Sequence, residues 1–174
     1  MTGLLLSVLL AGTSAHYRSN GWVVADNDGA CLLAREYESA STLFVNYDYG
    51  LDNVRIIYTD PAFRSADRGK SYKISLSFVR GGAIDDGWGV LTALGTKIDG
   101  VGGISMSLKG WEALKDLSSS SVMAFVLDDK VLASLKLDGS SEAVEALRKC
   151  AKEQQRLNPS DPLAGAEQKK ADTN

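Results

Sequence analysis

Two cysteines, a lone histidine and two adjacent aspartates beside a tryptophan are the residues of this chain with chemistry to offer. Cys31 and Cys150 stand far apart, with no Cys-x-x-Cys and no histidine or further cysteine at ligand spacing beside either. That pattern argues against a tetrahedral zinc site, which needs clustered nitrogen and sulfur ligands, and against a thioredoxin-like redox pair. Two readings remain: a structural disulfide, or two free thiols of which Cys150 lies on the inward stripe of a helix. A Cys31–Cys150 bridge would close a loop of about 120 residues, and chain entropy then gives on the order of 4–5 kcal/mol. It is the favoured reading if the chain is exported, because an oxidising compartment pairs two cysteines that have no third.

His16 is the only histidine. Any Ser-His-Asp or Cys-His mechanism would depend on it, and it lies near the expected start of the mature chain, a poor place to hold a base in position. If a leader is cut after Ala15, the new amine and the ring of His16 could chelate copper. A stable site ordinarily draws on another imidazole, which is absent, so the expected state is a solvated residue at a frayed end. No metal and no cofactor is expected. "DNDG" (Asp26 to Gly29) has the opening of a calcium loop, but Tyr37 occupies the twelfth position where a bidentate glutamate belongs; a hairpin turn is the better reading. In the glycine-rich stretch, Gly89 and Gly95 are separated by five residues and followed by Thr96-Lys97, so neither the spacing nor the order is that of a phosphate loop.

Asp85, Asp86 and Trp88 form the remaining candidate. Two acids flanking a bond, with an aromatic ring stacked on the sugar, are what a glycoside hydrolase requires. Adjacent aspartates in a loop are more often solvated, so the three residues are read first as a possible binding loop and only second as a carboxylate-dependent, glycan-directed hydrolase.

The elements that must carry these residues are mostly strands. "TLFVNYD" places Leu43, Val45 and Tyr47 on one face and Phe44, Asn46 and Asp48 on the other; "NVRIIYT" aligns Val54, Ile56 and Tyr58; "SYKISLSF" aligns Tyr72, Ile74, Leu76 and Phe78. An apolar and a polar face imply antiparallel pairing with one side in water. "DPAFRSADRGK" breaks the pattern as a loop. Eight glycines between Gly81 and Gly103 mark turns, bulges or a close backbone approach, and the part around Trp88 is read as a loop. "VMAFVLDDKVLASLKL" is a hairpin turning at Asp128-Asp129-Lys130, its first strand interior to the sheet. "ISMSLKGWEALKDL" and "ASLKLDGSSEAVEAL" form a weak repeat of strand, glycine and helix. The first helix is expected to bury Trp111 and Leu114; the second, capped by Ser140 or Ser141, to turn Ala143, Leu147, Cys150 and Ala151 inward. The fold class is therefore α+β: a β-rich antiparallel sheet or sandwich with two helices near the C-terminal end.

The 174 residues are 44% hydrophobic and 24% charged, enough for a sizeable core. A net charge of −3 and scattered lysines and arginines argue against a nucleic-acid surface. An apolar run from Leu4 to Ala11, followed by Thr13-Ser14-Ala15, has the form of a secretory signal, although no Lys or Arg precedes it. It is too short to span a bilayer. Residues 1–15 are thus expected to be a signal peptide, 16–157 a single globular β-rich domain, and 158–174 a polar, disordered tail.

Trp22, Cys31 and the closing strand, helix and cysteine of Ser134 to Cys150 resemble small exported proteins of Gram-negative bacteria. The arrangement "SLKG…AL" (Ser107 to Leu114) is similar to the invasion-associated locus B group of periplasmic proteins, from which this chain departs in its two cysteines and acidic balance. The resemblance implies a periplasmic or secreted location and a non-catalytic binding or interaction role at the cell envelope, with a protein or envelope component as partner. A purely structural envelope role is the further alternative.

Overall fold

The computed structural model describes residues 15–27, 30–85 and 87–157. The expected signal segment before Ala15, the expected turn at Asp28-Gly29, Asp86 and the expected tail from Asn158 lie outside the described residues.

In chain order the strands are β1 (Ala15–Ser19), β2 (Trp22–Asn27), β3 (Ala30–Glu36), β4 (Thr42–Asp48), β5 (Asn53–Thr59), β6 (Ser71–Arg80), β7 (Ala83–Asp85), β8 (Val90–Ile98), β9 (Val101–Lys109), β10 (Val122–Leu127) and β11 (Lys130–Lys136). Helix α1 (Gly110–Ser119) follows β9, and α2 (Ser140–Leu157) closes the described chain. All eleven strands join one sheet in the order β1-β2-β3-β4-β5-β9-β8-β6-β10-β11, with β7 beside β6, and every pairing is antiparallel. This is the β-rich antiparallel sheet with two late helices that the alternation implies.

The turns follow from residue type. Asn20-Gly21, Gly81-Gly82, Asp99-Gly100 and Asp128-Asp129 each carry positive φ at both residues and each joins two paired strands directly. Such two-residue connections match the right-handed twist of the flanking strands, and only glycine, Asn and Asp enter that conformation readily. The Asp128-Asp129 hairpin lies where the sequence places it, and β10 is interior, between β6 and β11.

The glycine-rich stretch is mainly strand, not loop: β8 and β9 run through it. The connection from β5 to β6 must pass β9 and β8, which stand between those strands in the sheet. It does so with its backbone against theirs: the Asp60 N–H donates to the Gly102 carbonyl (3.0 Å) and the Gly95 N–H to the Lys70 carbonyl (2.7 Å). A Cβ on Gly102 would fall on the Phe63 carbonyl oxygen, and one on Gly95 on that of Asp67. Alternation alone is blind to such a crossing. Gly102→Ala is expected to lower stability by about 1–3 kcal/mol or more, as overpacking does, read as a lower urea midpoint; a midpoint equal to the parent's would mean the 60–70 connection can lift away freely.

One hydrophobic core gathers the inward residues of the sheet, including Trp22, Leu33, Val45, Ile56, Ile74, Phe78, Met106 and Phe125, with Ala113, Leu114 and Leu117 of α1 and Ala143, Val144, Leu147 and Cys150 of α2. The helices pack on each other; α2 also lies against β1–β4, and α1 against β5, β6 and β9. Tyr58 of β5 stacks on Phe125 of β10, 5.2 Å between ring centres, so the sheet curls until strands far apart in its order meet. Side chains on and just after β2 and β3 reach the end of β11 and the stretch that follows it. Trp22 Nε1–H donates to the Asp138 carbonyl (2.9 Å), as does Arg35 Nη1 (2.8 Å), and the Tyr37 hydroxyl donates to the Lys136 carbonyl (3.2 Å).

Two local expectations are corrected. Phe44, placed on the wet face, is buried there with Leu32 and Ala34, and Ile57 and Ile98 pack against them; its register partners Ala34 and Ile57 cover it from both sides. Trp111 is not core: it is 48% exposed, because it stands about 100° round the helix from Gly110, on the flank of the buried stripe of Gly110, Ala113, Leu114 and Leu117. Ser140 stands at the start of α2. Its hydroxyl donates to the Leu117 carbonyl (2.8 Å) and ties α2 to the end of α1. Helix α1 has no side-chain cap from Lys109; instead Asp52 accepts the Trp111 N–H (2.9 Å) and the Tyr47 hydroxyl (3.2 Å) from the β4–β5 turn.

Candidate binding site

Trp88 sits in the short turn from β7 to β8, half-buried, its ring packed against the core. Its indole N–H donates to Asp116 Oδ2 of α1 (2.8 Å), and Asp116 Oδ1 receives Arg80 Nη2 from β6 (2.7 Å). With its N–H held by Asp116 and its ring against the core, the indole is a preorganised platform. Asp85 stands beside it, exposed, and accepts the Gly87 N–H (3.0 Å), which shapes the turn. Together with Glu112, Lys115 and Asp116 these residues line a depression of about 340 Å³.

The other flank of α1 opens into a longer groove of about 790 Å³ that runs between α1 and α2 and reaches β1. Trp111 marks its α1 wall, and the Arg148 guanidinium of α2 lies 4.4 Å from the centre of the Trp111 ring. Cation–π attraction and the planar guanidinium orient that ring as Asp116 orients Trp88. Lys115 lines both cavities. The outer side of α1 is therefore flanked by two aromatic platforms, with carboxylate and ammonium groups between them.

Asp85 and Trp88 are thus found together, as the sequence places them, while Asp86 lies outside the described residues. Sequence reasoning did not find Arg80, Glu112, Lys115 or Asp116. Helical periodicity shows that the last three can face outward, but no local signal says that a turn thirty residues upstream packs beside them.

The sulfur question is settled by a disulfide: Cys31 of β3 and Cys150 of α2 are bonded, with Cα atoms 6.0 Å apart. His16, expected to be solvated at a frayed end, has a partner. It belongs to β1, and its Nε2–H donates to Asp26 Oδ2 of β2 at 2.9 Å. Gln154 Nε2 of α2 donates to the other oxygen of Asp26 at 2.8 Å.

The groups with displaced titration are tyrosines that hold the fold. Burial pushes Tyr37 and Tyr58 well above the usual tyrosine range, assisted for Tyr58 by its hydrogen bond to Asp60. Burial, then the Asp52 charge, raises Tyr47. Below pH about 10 both folded and unfolded chains keep these protons, so stability does not change with pH on their account. Above it the unfolded chain loses protons that the folded chain retains. Stability is expected to fall by about 1.4 kcal/mol per pH unit for each of Tyr37 and Tyr58. Urea titrations between pH 8 and 12 read this directly, and Tyr58→Phe should flatten the slope; an unflattened slope assigns it to other groups.

Among the described residues no helix is long and apolar enough to cross a membrane. No protein-family model, curated protein or solved structure matches this chain.

Proposed function

We propose that the protein is an exported, non-catalytic binding domain of the cell envelope, and that it meets a protein or envelope component through the outer side of α1. The observation that carries this is the pair of tryptophans, each partly open to solvent and each fixed in orientation by a charged partner. Rigid aromatic anchors give large contact area at little entropic cost, and tryptophan and arginine dominate the energetics of recognition surfaces. The disulfide supports an oxidising location, where such bonds form and persist. Asp85 and Asp116 already hold the Gly87 amide and the Trp88 and Arg80 donors, which supports recognition over carboxylate-driven turnover.

The test is co-sedimentation of the exported protein with peptidoglycan and with outer-membrane vesicles. Trp88→Ala and Trp111→Ala should each weaken binding tenfold or more, equivalent to about 1.4 kcal/mol. Binding by both variants at the parent's strength would remove the surface from consideration. A product found in the cytoplasm with free thiols would remove the location.

A further inference from the structure

The case against copper at His16 rests on a mobile end and a missing second imidazole, and β1 takes away the first premise. The ladder between β1 and β2 pairs Tyr17 with Val24, Arg18 with Val23 and Ser19 with Trp22, and its register shifts between Ala15 and Tyr17. His16 lies at that shift, and the three pairs that follow it do not involve Ala15. Its ring is held by Asp26, and Asp26 is held in turn by Gln154. A carboxylate that takes the Nε2 proton fixes the tautomer and leaves the Nδ1 lone pair free, the outer-sphere arrangement that orients metal-ligating histidines.

From these contacts we infer that the mature chain carries a copper(II) site at its amino terminus, made by the α-amine and Nδ1 of His16. The inference rests on the export reading. Hydrolysis of the Ala15–His16 bond adds water across it, leaving a carboxylate on Ala15 and a free amine on His16. That amine and Nδ1 of the same residue close a six-membered ring around a metal ion. Copper(II) stands highest among the first-row divalent ions for such nitrogen donors and completes a tetragonal set with oxygen ligands. Water supplies the remaining positions. Cys150 Sγ lies 3.7 Å from Asp26 Oδ1, but its bond to Cys31 leaves no thiolate to donate. The second imidazole is replaced by preorganisation: the terminal residue is anchored by the strand that follows it and by Asp26, so little order has to be imposed when the metal binds.

The experiment starts from the full chain, recovered after export. Intact mass identifies the first residue; the same material then receives one equivalent of copper(II), is desalted, and is examined by metal analysis and electron paramagnetic resonance. The expected result is a chain beginning at His16 that retains one copper with nitrogen hyperfine structure from two nitrogens. His16→Ala should abolish retention. Asp26→Leu should weaken it about 10–100-fold, the usual cost of removing the partner that orients a ligating histidine, with the disulfide checked by mass to confirm folding. Because Asp26 also meets Gln154, N-terminal acetylation of the parent protein provides a second arm that leaves every side chain of the cluster intact, and it too should abolish retention. A chain that begins at His16 and retains no copper overturns the site and leaves the export reading standing. A chain that begins at another residue overturns the site, and a product that stays in the cytoplasm with Met1 retained overturns the export reading as well.

Discussion

Cys31→Ala, Cys150→Ala and the double variant are each expected to be less stable than the parent by on the order of 4–5 kcal/mol, and by the same amount as one another. The bridge joins residues 119 apart in sequence, and a loop of that length removes about that much chain entropy from the unfolded state. The bond ties α2 to β3, so its loss frees the helix whose inward stripe covers β1 to β4. Equality of the three variants is the diagnostic part, since either single change removes the whole cross-link. Urea unfolding in non-reducing buffer measures it. A loss under about 1 kcal/mol would show that apolar packing of α2 holds the fold unaided and that the bridge adds nearly nothing. A double variant much worse than either single one would assign the effect to cavity formation around two buried side chains instead of to the cross-link.

Trp22→Ala is expected to cost about 3–5 kcal/mol, as truncation of a buried large aromatic does. The ring has no exposed surface and stands at the seam between β2 and the stretch that follows β11. Its indole N–H reaches the Asp138 carbonyl just before α2, while the Arg35 guanidinium lies 5.2 Å above the ring and 5.1 Å from the Tyr37 ring. Trp22→Phe separates the two contributions. It keeps most of the apolar surface and removes the donor, but Asp138 retains the Arg35 hydrogen bond (2.8 Å). The loss from the donor should therefore be about 1 kcal/mol, the net value of one hydrogen bond. Should phenylalanine prove as damaging as alanine, the seam is held by the indole hydrogen bond and not by burial.

The parts of the fold legible in the sequence are those set by short-range pattern. Period-two alternation placed β4, β5 and β6 and identified Leu43, Val45, Val54, Ile56, Ile74 and Leu76 as core, because successive side chains of a strand point to opposite faces. Asp128-Asp129 marked its hairpin through the rarity of residues that accept positive φ. Helical periodicity turned Leu147 and Cys150 inward, and that burial is what lets Cys150 meet Cys31. Where glycine replaced apolar residues, as in β8, the same pattern was silent, since a residue without a side chain declares no face. Strand β1 was missed for a related reason: five residues with one partly buried position show no alternation to read.

Of the candidate site, Asp85 and Trp88 could be named from composition, but their surroundings could not. The role of Asp116 depends on a hydrogen bond across 28 residues, and the anchoring of His16 depends on Asp26 and, behind it, on Gln154, 138 residues further on. The sequence by itself determined which faces of strands and helices are apolar, where the chain can turn, and that two cysteines stood ready to pair. Only the tertiary structure decided that β9 and β8 lie between β5 and β6, that Trp111 faces a groove, and that Trp88 and His16 each have an aspartate to hold them. Periodicity reports on neighbours along the chain, whereas these contacts arise when a curled sheet brings together residues that no local rule connects.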